Sequence, residues 1–195
     1  MRKLRVFSAL LLLFSSINGF SYASDTIPLN CMNKVKLTLR ISNVIKGCEK
    51  TELSLGAGAI PHSLIRPTAI DKQLMYRFKA AQAAAKKDGQ VIYIASGFRT
   101  LSRQRYLFAQ AIKKYGSVEK ATRWVLPPNI SHHPWGVAID VNYPDQPVGA
   151  GWLEIHGSRF GLCRVFKNEW WHFEPVIAPG WKCPKMLLDA TYGDD

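Results

Sequence analysis

Ser131-His132-His133-Pro134-Trp135-Gly136-Val137-Ala138-Ile139-Asp140 is the stretch on which the reading of this chain turns. Pro134 and Gly136 mark a turn. From Gly136 to Tyr143, Val137, Ile139 and Val141 alternate with Ala138 and Asp140. Successive side chains of a strand point to opposite faces, so this segment reads as a strand that buries one face and delivers Asp140 on the other. A histidine and a carboxylate are thereby held near each other by one turn and one strand. Further on, Glu169-Trp170-Trp171-His172 brings a second imidazole and a second acid. A catalytic zinc takes three nitrogen or oxygen ligands and keeps one position for water. His133, Asp140 and His172 meet that count. Glu169, close to the third ligand, is placed to take a proton from a water that the metal acidifies. Two nitrogens and one carboxylate suit zinc, while cobalt or manganese is compatible with the same donors.

Working outward, Leu74, Phe78, Ala81 and Ala85 recur at helical spacing between a capping-box pattern at Thr68 and Asp71 and a stop at Gly89. Gln90 to Ala95, rich in Val, Ile and Tyr between two glycines, reads as a buried strand. Ser102 is a candidate cap for a second helix running to Tyr115. A short third helix starts after Ser117 and halts at Pro127-Pro128. Trp152 to Phe160 reads as a helix, and Leu162 to Phe166 and Trp170 to Val176 as strands. The expected class is α+β, a small antiparallel sheet with helices packed on one side.

The chain has 195 residues and a formal net charge of +12. Met1-Arg-Lys-Leu-Arg followed by an apolar run to Phe14, with Ser21-Tyr22-Ala23 as a cleavage pattern, reads as a signal peptide over 1–23. A membrane anchor would need about 20 apolar residues, and Ser15, Ser16 and Asn18 interrupt the run. The segment carries three basic residues and no acid, so the remainder is +9. Such a balance suits a polyanionic partner. An exported chain meets cell wall rather than nucleic acid, and a merely solubilising basic surface is equally consistent with the charge. Four cysteines in an oxidising compartment accommodate two disulfides. Cys31 with Cys48 and Cys163 with Cys183 close the shortest loops. Residues 24–67 show no sustained period and read as an irregular, disulfide-clipped lead-in to a domain over 68–195. His62 and His156 lie outside every motif and read as surface residues, while Trp135 and Trp170 are close enough to the ligands to shape a pocket.

Ser131, His133, Gly136, Ala138 and Asp140, followed by Glu169, Trp171 and His172, resemble the pattern of the LAS metallopeptidases, which include the VanY-type D-alanyl-D-alanine carboxypeptidases. Ser96-Gly97-Phe98-Arg99-Thr100, with Gln104 and Phe108 downstream, stands where that family carries a further motif. The resemblance spans roughly Asp71 to Val176. It implies a hedgehog/D-Ala-D-Ala peptidase type of fold with one zinc ion in a cleft. It also implies a hydrolase acting on D-alanine-containing peptide stems of peptidoglycan, with Arg99 in the substrate site alongside Gln104, Ser131 and Trp171. A guanidinium suits that role, because its paired donors match a terminal carboxylate or a developing oxyanion. A periplasmic or secreted monomer is expected, with no membrane span after cleavage. Trp170 stands where many carboxypeptidases of the group have proline, as in the D-alanyl-D-alanine dipeptidases. A dipeptidase or an endopeptidase therefore shares the chemistry, a non-catalytic wall-binding module is the reading from another class, and housekeeping and toxin roles stay equally open.

Overall fold

In the computed structural model the described residues are 28–36, 39–43, 46–54 and 67–191; the signal peptide expected over 1–23, and His62, lie outside them. The stretch that reads as irregular contains a small sheet. Strand β1 (Pro28–Asn33) pairs antiparallel with β2 (Leu39–Asn43) on one side and β3 (Glu52–Ser54) on the other. These strands are too short to print a period on the sequence. A disulfide joins Cys31 to Cys48, as the loop lengths lead one to expect. Met32 is fully buried and shares a hydrophobic cluster with Phe108, Leu126, Ile130 and Phe166, so the lead-in is packed onto the rest of the chain.

Helix α1 (Lys72–Lys87) forms where its apolar spacing places it, and Leu74, Phe78, Ala81 and Ala85 are its buried residues. Its N-cap is Asp71, whose side chain accepts from Leu74 N at 3.0 Å, rather than Thr68. Strand β4 (Ile94–Ser96) follows, then α2 (Leu101–Tyr115), capped by Thr100, two residues before the expected Ser102, and α3 (Val118–Thr122), capped by Ser117. A 3-10 turn over His133–Trp135 leads into β5 (Ile139–Val141). Helix α4 (Pro147–His156) continues as a 3-10 turn to Phe160, and β6 (Cys163–Arg164) and β7 (His172–Glu174) complete an antiparallel sheet of order β4-β5-β7-β6.

One face of this sheet carries the main core, in which Ile139, Val141 and Phe173 meet Leu74 and Phe78 of α1 and Trp152 and Leu153 of α4. Two ties reinforce it. Trp152 Nε1 donates to Asp88 Oδ2 at 2.9 Å, and Arg77 Nη1 donates to Gly161 O and Ile177 O at 3.1 and 2.8 Å. His156, expected at the surface, is half-buried with its ring 4.7 Å from that of Trp152. A second disulfide, Cys163 to Cys183, holds the tail, which returns through reciprocal backbone bonds between Leu187 and the Val165–Lys167 stretch.

Gly136 closes the turn before β5 at φ 72°, and a Cβ there would stand 2.5 Å from Ala69 O. Only glycine takes that conformation and that approach together. Gly136→Ala should lower stability in urea denaturation by about 1–2 kcal/mol from the left-handed conformation alone, with the backbone collision adding to it. An unchanged midpoint would show that this turn yields freely.

Candidate metal centre

Register does most of the assembly. Asp140 on β5 pairs directly with His172 on β7 and, across the other neighbour, with Ser96 on β4. Directly opposed residues have Cβ atoms about 4.5–5.5 Å apart. Because Ile139, Val141 and Phe173 enter the core, Asp140 and His172 emerge together on the opposite face. His133 arrives from the 3-10 turn before β5. The donor atoms of His133, Asp140 and His172 all lie within 4.8 Å of one another, and all three residues are buried. Asp140 Oδ1 is 3.3 Å from His133 Nε2 and 3.2 Å from His172 Nδ1.

Each imidazole is oriented from behind. His133 Nδ1 lies 2.7 Å from Gly97 O, which only accepts, so the proton sits on Nδ1 and the Nε2 lone pair faces the cluster. Arg99 N donates to His133 O at 3.3 Å, so the Ser96–Thr100 segment brackets this histidine. His172 Nε2 lies 2.9 Å from Glu174 Oε1, and the other carboxylate oxygen of Glu174 meets His132 Nδ1 at 2.8 Å. The sequence reading missed this Glu174–His132 support. The position of Glu174 two residues after His172, hence on the same face of a strand, was the available signal. Outer partners of this kind typically account for about 10–100-fold in metal affinity. Glu174→Gln should accordingly weaken zinc binding by about that factor in a competitive chelator titration, and an unaltered affinity would reduce Glu174 to a packing role.

Arg99 is ion-paired to Asp140 Oδ2, receives support from Ser96 Oγ (2.9 Å from Nε) and reaches Gln104 Oε1 at 3.3 Å. Gln104, expected to touch substrate, is buried, and its amide also donates to Leu126 O at 2.8 Å. Its oxygen accepts from Arg99 while its amide nitrogen is tied to Leu126 O, and the residue is also part of the cavity wall. Glu169 Oε2 sits 3.7 Å from His172 Nδ1, outside the three-donor group. Ser131 and Trp171 line the same cavity, about 580 Å³, as Arg99, Glu169 and the three donors. Trp135 and Trp170 are not among its walls. Trp170 instead stands edge-on to Trp171, which packs 4.4 Å from Tyr143.

The charges fit a cation. Burial pushes the Glu169 carboxyl up to about 7, with Asp140 and Glu174 nearby adding to it against His172 and Arg99. Burial alone would raise Asp140 too, but His133 and His172 hold it well below the usual carboxylate range. His172 is lifted to about 10, against its own desolvation, by hydrogen bonds to Asp140 and Glu174 and by Glu169. His133 is lowered by burial, against the pull of Asp140. Three acids thus surround His172, a balance of charge that suits a bound cation. Two imidazoles and a carboxylate are the donor set that zinc accepts in catalytic sites. Cys31, Cys48 and Glu52 also lie within that spacing of one another, but both sulfurs there are spent in the disulfide.

The class of fold is thus α+β, a helix-backed antiparallel sheet that gathers two histidines and an aspartate in a cleft on its free face. The family model described as VanY, D-alanyl-D-alanine carboxypeptidase, matches residues 67–177, and the chain belongs to that family. It is 31% identical over 116 residues to the D-alanyl-D-alanine carboxypeptidase of Enterococcus faecalis (strain ATCC 700802 / V583), a match covering 48% of this chain and 43% of that relative. The chain thus spans less than half the length of this relative. Among solved structures it resembles a mutant of the vancomycin resistance D,D-pentapeptidase VanY from a VanB-type cassette in complex with Zn(II), with a TM-score of 0.53 and 24% identity. That match covers 60% of this chain and 80% of the other. VanYB in complex with D-Ala-D-Ala gives the same TM-score and coverage at 23% identity. These likenesses bear on the fold, which is the α+β arrangement that the sequence leads one to expect.

Proposed function

We propose that this protein is an exported zinc peptidase that removes terminal D-alanine from peptidoglycan stem peptides, with His133, Asp140 and His172 as metal ligands. The observation that carries the reading is the convergence of those three donors in one cavity with a glutamate and an arginine that a purely structural metal site does not need. Zinc held there supplies Lewis-acid polarisation of a carbonyl and acidifies water. Glu169, beside the donors and lifted toward neutrality, takes a proton from the attacking water and returns it to the departing amine. Arg99, half-buried and held in place by Asp140, Ser96 and Gln104, presents fixed donors to a carboxylate or to negative charge growing on the carbonyl oxygen. His132 and Glu174 keep His172 in one tautomer.

Family membership and two disulfides support a periplasmic or secreted location, and among the described residues no helix is long and apolar enough to cross a membrane. The test is direct. The purified protein should contain about one zinc per chain, and it should convert a pentapeptide stem to the tetrapeptide. It should lose that activity to a chelator and regain it with added zinc. Release of dipeptide units, cleavage of cross-linked muropeptides or turnover of free D-Ala-D-Ala would move the assignment to endopeptidase or dipeptidase. A zinc-loaded protein that binds wall fragments and cuts none would make it a binding module.

A further inference from the structure

The ring closed by the second disulfide has contents that the first lacks. Cys163 and Cys183, 20 positions apart, enclose Glu169, Trp171, His172 and Glu174, so the base, the third donor and the support of that donor lie on one cross-linked loop. Cys31 and Cys48 are 17 positions apart and enclose none of the site residues. Closing a loop restricts the unfolded chain by an amount that grows only with the logarithm of loop length. The two bonds are therefore nearly equal as restraints on the unfolded chain, and unequal in what they touch in the folded one.

What the second bond touches is Glu174. Strand β7 has β5 on one side, where Asp140 faces His172 and Ile139 faces Phe173, and that ladder does not extend to Glu174. The residue opposite Glu174 is Cys163, on the other side, in β6. Strand β6 is two residues long and forms the edge of the sheet. An edge so short has few ladder bonds of its own, and the disulfide ties it to the tail from outside the sheet. Arg77 ends on Gly161 O, Pro175 O and Ile177 O, so it steadies the flanks of this pair. Glu174 in turn meets His172 Nε2 at 2.9 Å through one oxygen and His132 Nδ1 at 2.8 Å through the other. Disulfide, edge strand, carboxylate and imidazole thus form one chain of contacts.

We propose that Cys163 and Cys183 are positioning residues for the metal centre: their disulfide holds Glu174, and through it His172, in the orientation that binds zinc, so that zinc affinity follows the redox state of this one bond. This rests on the reading of His133, Asp140 and His172 as ligands. A dithiol opens the bond. Its thiolate attacks the sulfur of Cys183, the less buried partner, and Cys163 leaves as a thiolate that takes up a proton. The second thiol of the reductant then displaces Cys183, which is protonated in turn, and the reductant departs as a disulfide, having given up two electrons. In a reducing compartment, where such bonds do not persist, the chain holds zinc weakly. Export to an oxidising one completes the site.

The test compares zinc affinities by competition with a chelator. Cys163→Ser/Cys183→Ser should bind zinc about tenfold more weakly than wild type, the lower end of what outer partners of a ligand account for. Cys31→Ser/Cys48→Ser should bind it as wild type does, although it loses a similar restraint on the unfolded chain. In a Glu174→Gln background the loss on replacing Cys163 and Cys183 should shrink to within about twofold, because effects routed through one residue do not add. Equal affinities in wild type and Cys163→Ser/Cys183→Ser, equal losses in the two disulfide variants, or an undiminished loss beside Glu174→Gln each overturn the proposal. Should Cys163→Ser/Cys183→Ser not fold, zinc-loaded Cys31→Ser/Cys48→Ser is reduced with a phosphine. Zinc released while the helical circular dichroism persists supports the positioning role, and release only as that signal is lost overturns it. Should the wild type take up no zinc, the metal reading falls by itself. Amide exchange across residues 172–174 in the metal-free proteins then decides the positioning role. Faster exchange in Cys163→Ser/Cys183→Ser than in Cys31→Ser/Cys48→Ser is expected, and equal exchange counts against it.

Discussion

Glu169→Gln should cut kcat on a pentapeptide stem by about 10²–10⁴ while zinc content is retained, because what is removed is a proton acceptor and not a ligand. The side chain lies outside the three-donor group, and glutamine keeps its shape in a wall where a smaller residue would open a void. A variant that lost its zinc, or one that kept wild-type kcat, would contradict the assigned role. The same substitution has a stability consequence in chelator-treated protein. The folded carboxyl holds its proton up to about 7, against the ordinary 4.5, so the favourable contribution of the protonated form is complete below 4.5 and fades as pH rises toward 7. At pH 8 the metal-free wild type bears an ionised, buried glutamate that Glu169→Gln lacks. The variant should therefore be the more stable of the two there, by on the order of 2–3 kcal/mol, with the difference vanishing below pH 4.5. Urea titrations at the two pH values check it.

Asp140→Ala should abolish zinc binding and cost about 3–5 kcal/mol of folding stability, the penalty of removing one partner from a buried ion pair. The size follows from how many groups depend on this carboxylate. It is ion-paired to the half-buried Arg99 guanidinium, faces both imidazoles, and stands between Ser96 and His172 in the sheet. Truncation leaves Arg99 charged and without its acid in a site where burial already disfavours the cation. Metal analysis and equilibrium denaturation read the two effects. A variant that still took up zinc with near wild-type affinity would remove Asp140 from the ligand set.

Much of this arrangement is legible before any coordinates. Helix α1 declares itself through Leu74, Phe78, Ala81 and Ala85, and the motif around His133 and Asp140 anticipates the centre. The strands come out shorter than their apolar runs. Gln90–Ala95 reads as a buried strand, yet only Ile94–Ser96 joins the ladder, because the Asn142 side chain takes over the bonding upstream. It accepts from Tyr93 N and donates to Val91 O, both at 2.9 Å. Asn142 itself stands at φ 59° and ends β5 two residues before Pro144, where an unbroken strand to Tyr143 is expected. No local pattern announces a side chain that replaces backbone pairing from fifty positions away. Helix α4 starts at Pro147, earlier than expected; Gly149 and Gly151 thin the apolar stripe that would announce its first turns. Gly149 is there for contact, since a Cβ would lie 2.3 Å from Val91 O. Glu174 escapes the sequence reading for a related reason: which face a residue takes is visible in the sequence, but which partner waits there is not.

Two of the three donors are direct neighbours on adjacent strands, and the third is fixed by a carbonyl of the segment leading from β4. Strand pairing has a period of two, so a slip of one residue between β5 and β7 would turn Asp140 or His172 into the apolar core and bring a core residue out in its stead. No misregistered sheet can offer the ion its full complement of donors. A metal ion bound by these three donors would therefore act as a proofreader of folding, rewarding one alignment of the central strands and no other.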